Sequence, residues 1–286
     1  MHTENQMNAG TLFVVGTPIG NAADLSARAQ DVLDRVDVIA AEDTRRTGGL
    51  LMRIGVKTPL IAYHDHNERT LAPQLTQRLL AGDSIALVSD AGMPLISDPG
   101  WLLVSLARQS SVNIVTVPGP CAATAALSIS GLPTDHYVFE GFLPRRTAAR
   151  AERLQSLAAE RRTLIFYEAV HRIGATLAAM CAAFGPERQA VLARELTKLH
   201  ETCYSGSLET LLGRIDTDIT LLGEFVIVVA GAPEAPAADA VEVLRTFEIL
   251  AKAVSPKQAV ALTAELTGRS RNDVYRLTRA SQNSSD

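Results

Sequence analysis

Five short polar stretches carry side chains able to do chemistry, and each directly follows an apolar run. Glu42-Asp43-Thr44-Arg45-Arg46 sets two carboxylates beside two guanidiniums. An Arg fork of this kind can grip phosphate while an adjacent carboxylate orients or deprotonates a hydroxyl. Tyr63-His64-Asp65-His66-Asn67-Glu68 is just as dense, and His64 could contact substrate or shuttle a proton. Its two histidines lack a third ligand at recognisable spacing, so no metal centre is expected. Tyr167-Glu168-Ala169-Val170-His171-Arg172 and the stretch from Arg194 through Lys198 to Glu201 repeat the arrangement later in the chain. The fifth, Ser89 to Gly100, reads SDAGMPLISDPG, with two glycines, two prolines and two aspartates. Proline lacks a donor and glycine tolerates positive φ, so this is a shaped loop rather than a strand or helix. At the carboxyl end of a strand, such a loop is either a ligand wall or a plain turn.

The elements that must position these groups alternate regularly. Thr11 to Val15, Val38 to Ala41, Leu60 to Tyr63, Ile85 to Val88 and Val112 to Val117 read as strands, with helical segments between them. Ala29, Val32, Leu33 and Val36 share one helical face, and Asp24 or Ser26 could cap that helix. Strand, helix, strand is the rhythm of a wound α/β layer. Pro118-Gly119-Pro120 interrupts it. Strands at Tyr137 to Phe142, Thr163 to Tyr167, Ala190 to Arg194 and Phe225 to Ala230 then predict a second α/β layer. Polar groups gathered at strand ends of both layers point to one cleft between them. The expected organisation is a tail over residues 1–9, α/β domains over 10–118 and 119–232, and a helical domain over 240–286. Residues 231–238 have linker composition.

Composition narrows the class. Of 286 residues, 47% are apolar, which excludes disorder, and no run approaches the roughly twenty apolar residues of a membrane span. The polar start MHTENQMNAG lacks a signal-peptide core, so a cytoplasmic location is expected. Cys121, Cys181 and Cys203 have no C-x-x-C spacing, which argues against a disulfide framework or zinc site. Gly16-Thr17-Pro18-Ile19-Gly20-Asn21 is not a dinucleotide fingerprint, and no P-loop or hydrolase signature occurs. A net charge of −4 weakly opposes nucleic-acid binding. Locally the balance reverses: between Ser255 and Ser281, Lys257, Arg269, Arg271, Arg276 and Arg279 face only Glu265 and Asp273. Helix, glycine-containing turn and helix there match a helix-turn-helix outline, either a solvated tail or a phosphate-contacting module.

Taken together, GTPIGN, AEDTRR, YHDHNE, VSDAGMPLISDPG, PGPCAATAALSISGLPTD, FEGFLPRR, RTLIFYEAVHR and RELTKLHE closely resemble the ribosomal RNA small-subunit methyltransferase I family. That family belongs to the tetrapyrrole-methylase superfamily, and the resemblance covers roughly Gly10 to Gly231. SPKQAVALTAELTG followed by RNDVY resembles the family's small helix-turn-helix-like domain. The resemblance implies two α/β domains with a cofactor cleft between them, usually in a homodimer. It implies methyl transfer from S-adenosylmethionine to the ribose 2′-hydroxyl of a cytidine in the decoding region of small-subunit rRNA, with that rRNA or the 30S particle as partner and no membrane. A tetrapyrrole or diphthine methyltransferase would share the fold, and a non-catalytic ribosome-assembly factor is the rival of a different class.

By the same resemblance, the cofactor-facing positions are Asp90, Ala91, Gly92, Met93, Pro94, Ile96, Pro118, Gly119, Cys121 and Ala122, with Tyr167 and Glu168 approaching from the second domain. Met93 stands where the family usually has Thr, Val170 where Pro is common, and Leu222 where Lys often precedes Gly-Glu. A ribose hydroxyl is a poor acid, which makes Glu42, Asp43, His64 and Lys198 candidates for base or orienter. Arg45, Arg46, Arg145, Arg146, Lys257, Arg269, Arg271 and Arg276 are the candidate RNA contacts.

Overall fold

The structure is a computed structural model that describes residues 10–215, 217–233 and 240–283. The expected tail over residues 1–9 and most of the expected linker lie outside the described residues. The first sheet contains β1 (Thr11–Val15), β2 (Val38–Ala41), β3 (Leu60–Ala62), β4 (Ile85–Val88) and β5 (Asn113–Val117). Its order is β3-β2-β4-β1-β5, and every pairing is parallel. Helices α1 (Ala27–Arg35), α2 (Thr44–Ile54), α3 (Glu68–Leu80) and α4 (Trp101–Gln109) make the crossovers. Leu33 and Leu51 fill the core on one face, and Leu75, Leu79 and Leu103 fill the core on the other. Strands covered on both faces are apolar throughout, which is why β2 and β4 are buried at every position. Ser26, not Asp24, caps α1, its side chain accepting from the Ala29 N–H.

The second sheet departs from a wound layer. It contains β6 (Tyr137–Phe142), β7 (Thr163–Ala169), β8 (Gln189–Arg194), β9 (Thr202–Ser207) and β10 (Glu224–Val229), in the order β6-β7-β10-β8-β9. Of its pairings, that of β6 with β7 is parallel and the rest are antiparallel. Because β10 lies antiparallel between β7 and β8, those two strands run the same way. Their ends, Glu168 and Arg194, both sit opposite Phe225, next to the start of β10 at Glu224. β9 was not expected from the sequence. Its residues TCYSGS form an edge strand paired with β8, and an edge needs no apolar run.

Helices α5 (Ala122–Ile129), α6 (Thr147–Ser156), α7 (Ile173–Phe184) and α8 (Leu208–Gly213) complete this part. Ala123, Ala126 and Leu127 of α5 pack on Ile165, Val191 and Val228 of the second sheet, with Ile19 from the first βα turn joining them. Among the described residues, those from 10 to 232 belong to one compact unit, and a second unit starts at Pro233.

That second unit is helical: α9 (Ala240–Ala251), α10 (Pro256–Thr267) and α11 (Arg271–Asn283). Val243, Ala264 and Val274 are its buried centre, with Val260 and Leu277 against them. Pro256 opens α10, where its missing N–H costs nothing, and Gly268 ends it at φ 65°. No helix among the described residues is long and apolar enough to cross a membrane.

Candidate functional site

The loop from Ser89 to Gly100, which follows β4, is strained in its second half. Leu95 and Ser97 adopt φ of 73° and 71°, a region that non-glycine residues occupy at a cost of about 1–3 kcal/mol each. Neighbouring segments hold it in place. Thr17 and Gly92 exchange backbone hydrogen bonds of 2.9 and 3.1 Å. A Cβ added to Gly141 would lie 2.7 Å from Ser97 Oγ, at the point where the register of β6 slips. A Cβ at Gly16 would meet Gly119 Cα and Met93 Sδ at 2.7 Å, so the first βα turn and the turn after β5 require glycine for their close approach.

These segments and the second sheet enclose a cavity of about 470 Å³. Asp90, Ala91, Gly92, Met93 and Ile96 line one side, and Cys121, Ala122, Tyr167 and Glu168 the other. Pro94, Pro118 and Gly119 do not line it. Gly119 instead borders a shallower depression with Cys121 and Asp24.

Tyr167 and Glu168 reach the wall by different means. Tyr167 Oη accepts from the Ala123 N–H at 3.1 Å, and its ring meets Phe139 and Phe142 edge-on at 5.0 and 5.6 Å. The Glu168 carboxylate is fully buried and accepts from Thr176 Oγ1 at 2.6 Å, with Arg172 at 3.3 Å. Arg172 donates in turn to the carbonyls of Leu143 and Pro144. Glu168 is therefore a brace between β7, α7 and the chain after β6.

Acidity is concentrated on the first-sheet side. Glu42 accepts from the Asp90 N–H at 3.2 Å, and Asp90 accepts from the Asp43 N–H at 2.9 Å, which ties the ends of β2 and β4 together. Burial raises the Glu42 pKa, partly offset by that N–H. Asp98, a cavity residue not among the sequence candidates, is pushed up to about 7 by burial and then by Glu42. A hydrogen bond from Ser89 pulls it down, while Asp90 and Asp65 add to the rise. Its signal in the sequence was only a second Asp in the loop.

The other base candidates, Asp43, His64 and Lys198, do not line this cavity. Asp43 caps α2 and grips Arg45 through two side-chain bonds of 3.2 and 2.8 Å, which hold its carboxyl well below the usual range. A carboxylate so held is a weak base. The ring of His64 stacks edge-on against His66 at 5.8 Å, and its buried Nδ1 has no hydrogen-bond partner among the described residues; it lines neither this cavity nor the next. Burial alone would lower the Lys198 pKa. Its bonds to Glu195 at 2.9 Å and Glu224 at 3.0 Å outweigh that and keep it a cation.

A second cavity of about 450 Å³ adjoins the first, sharing Ile19, Arg46, Asp90, Ala91 and Glu224. Arg45, Arg46, Arg53 and Lys198 border it. Arg53 was missed, although it falls seven residues after Arg46 on the same face of α2. Arg46 also reaches Asp90 at 3.3 Å, on the shared wall. Arg145 and Arg146 are exposed at the start of α6 and border neither cavity. In the helical unit, Lys257 and Arg271 are exposed in the first turns of α10 and α11, Arg269 is half-buried between those helices, and Arg276 pairs with Asp273 at 2.7 Å.

Comparison with known proteins assigns the family. Residues 11–212 match the Tetrapyrrole (Corrin/Porphyrin) Methylases, and residues 237–279 match the RsmI C-terminal HTH domain. A ribosomal RNA small subunit methyltransferase I from Xylella fastidiosa is 52% identical over 267 residues, covering 93% of this chain and 98% of that protein. The protein of that name from Escherichia coli O157:H7 is 45% identical over 276 residues, covering 96% of each. The chain belongs to the ribosomal RNA small subunit methyltransferase I family. Among solved structures, the methyltransferase CobJ aligns with a TM-score of 0.59 at 18% identity over 80% of this chain and 97% of its own. A uroporphyrin-III C-methyltransferase from Thermus thermophilus, complexed with S-adenosyl homocysteine, aligns at 0.53 and 16% identity over 77% and 97%. These two likenesses establish the tetrapyrrole-methylase fold for this member of the methyltransferase I family.

Proposed function

We propose that this protein transfers a methyl group from S-adenosylmethionine to the ribose 2′-hydroxyl of a cytidine in the decoding region of small-subunit rRNA, as a cytoplasmic homodimer. The observation that carries the reading is the pair of adjoining cavities with opposite charge. One has apolar walls with Glu42, Asp90 and Asp98 on one side. That composition suits a donor with a flat purine face and a positive sulfonium, and Gly92, at φ 87° on the cavity wall, keeps a side chain out of the backbone's way there. The other, lined by Arg45, Arg46, Arg53 and Lys198, suits the phosphates of RNA.

The donor supplies an electrophilic methyl group. The protein's part is to hold the hydroxyl and the methyl in line, which accounts for much of the rate in such a displacement. Asp90, Ala91, Gly92, Met93, Ile96, Cys121, Ala122 and Tyr167 hold the donor. Glu42, half-buried and facing the donor cavity, orients the hydroxyl and takes its proton. Arg45, Arg46 and Arg53 grip the flanking phosphates, and Lys198 supports them as a cation. Arg145, Arg146 and the basic residues of the helical unit extend the RNA contact.

Mass spectrometry of nucleosides from 30S particles incubated with enzyme and donor tests the reading. Wild type yields 2′-O-methylcytidine, and Glu42→Gln lowers the single-turnover rate at saturating donor by about 10²–10⁴. A different modified nucleoside would overturn the substrate assignment, and a wild-type rate in Glu42→Gln would overturn the role of Glu42.

A further inference from the structure

Asp98 stands apart from the other carboxylates of the donor cavity. Asp90 has Arg46 at 3.3 Å, Glu168 has Arg172 at 3.3 Å and Glu224 has Lys198 at 3.0 Å, while Glu42 accepts the Asp90 N–H. Asp98 faces Glu42 from the end of β2, Asp65 from the chain after β3, and Asp90 and Ser89 from its own loop. Tyr167 faces it from β7. None of these supplies a positive charge, and the cation on the cavity wall, Arg46, is engaged by Asp90. The backbone beside Asp98 is strained, with Ser97 at φ 71°, and the glycine at position 141 makes room for Ser97. Strain maintained beside a half-buried acid with no cationic partner among the described residues points to a functional constraint.

Methyl transfer turns a sulfonium cation into a neutral thioether, so donor and product differ by one positive charge at one atom. We propose that Asp98 is the residue that discriminates between them: its carboxylate favours the charged donor over the neutral product. Donor binding drives the Asp98 proton into solvent, and the proton returns when only neutral product occupies the cavity. Because this carboxyl titrates at about 7, the exchange occurs near neutral pH. This inference rests on the reading of the cavity as a methyl-donor site.

Isothermal calorimetry of the full chain, in two buffers of different ionisation enthalpy, separates the two ideas. The probes are S-adenosylmethionine and S-adenosylhomocysteine. At pH 7, S-adenosylmethionine binding should release about half a proton and S-adenosylhomocysteine almost none. The ratio of their affinities should rise about tenfold in favour of the donor between pH 6 and pH 8. Asp98→Asn should bind both with a ratio that does not change with pH and without proton release. Equal proton release for the two ligands, or release that persists in Asp98→Asn, overturns the role of Asp98 while leaving the donor site intact. Failure of wild type to bind either ligand overturns the donor site, and the inference with it. Where Asp98→Asn folds poorly, equal proton release for the two ligands in wild type still overturns the proposal, and loss of the difference in Glu42→Gln would assign the proton to Glu42 instead.

Discussion

The loop after β4 and the loop after β8 both border the first cavity, and each forces two non-glycine residues to positive φ: Leu95 at 73° and Ser97 at 71° in one, Glu195 at 52° and Thr197 at 66° in the other. Each is accommodated by a glycine on a neighbouring segment, Gly141 beside Ser97 and Gly223 beside Glu195. Their carboxylates nevertheless behave in opposite ways. Burial and Glu42 raise Asp98 to about 7. Burial also acts to raise Glu195, but Lys198 and the Glu224 N–H outweigh it and hold Glu195 below its usual range. Similar strain in the backbone therefore supports two kinds of acid. In one loop the strain accompanies a carboxyl that faces the cavity, and in the other it completes an ion-pair network that fixes Lys198.

The largest break in this comparison is expected at Gly223. It has φ of 88°, and a Cβ there would overlap the Glu195 carboxylate. Gly223→Ala must displace that carboxylate from both Lys198 and the Glu224 N–H and add backbone strain. A loss of about 2–4 kcal/mol is expected from overpacking and positive φ together. Urea unfolding should show a lower midpoint with an unchanged slope. An unchanged midpoint would mean that the loop after β8 yields easily and is not a fixed support.

The same contrast separates what was legible in the sequence from what was not. β2 and β4 were readable because strands covered on both faces are apolar throughout, whereas β9 takes its place from its pairing with β8. The antiparallel insertion of β10 was hidden because strand partners are set by non-local packing. Glu42, Asp90 and Arg46 could be found as polar groups just past strand ends. Asp98 could not, since its character depends on burial and on the absence of a cation nearby. Lys198 read as a possible base because one of its acid partners, Glu224, is distant in sequence and adjacent only after β10 takes its place beside β8.

Next in size is an opposite response to pH in the two acids. The folded pKa of Asp98 lies above the unfolded value near 3.9, so the native state binds the extra proton and loses stability as pH rises from about 4 to 7. Asp98→Asn should then be more stable than wild type at pH 8, by about 1–2 kcal/mol once solvent screening is allowed for. The difference should shrink towards pH 4. Glu195 has a lowered folded pKa, so its contribution is present above the unfolded value and is lost on acidification. Glu195→Gln should cost about 1 kcal/mol at pH 8 and less as pH falls below the usual carboxylate range. Thermal melts across pH 4–8 without ligand would show the two differences moving in opposite directions; parallel curves would remove the electrostatic half of the comparison.

The smallest effect is expected at Gly141, where the obstacle is a side chain that can rotate. A Cβ there would meet Ser97 Oγ at 2.7 Å, with Phe139 next at 3.9 Å, and φ is 63°. Turning Ser97 relieves the contact, so Gly141→Ala should cost about 1 kcal/mol, mainly from placing a non-glycine residue at positive φ. Its value lies in the second readout. If the bulge in β6 sets the position of Asp98, moving Ser97 should shift the pH midpoint of donor binding even though stability hardly changes. If the midpoint stays where it is in wild type, the loop after β4 holds Asp98 through its own bonds and those to Thr17. The two loops would then differ in support as well as in charge.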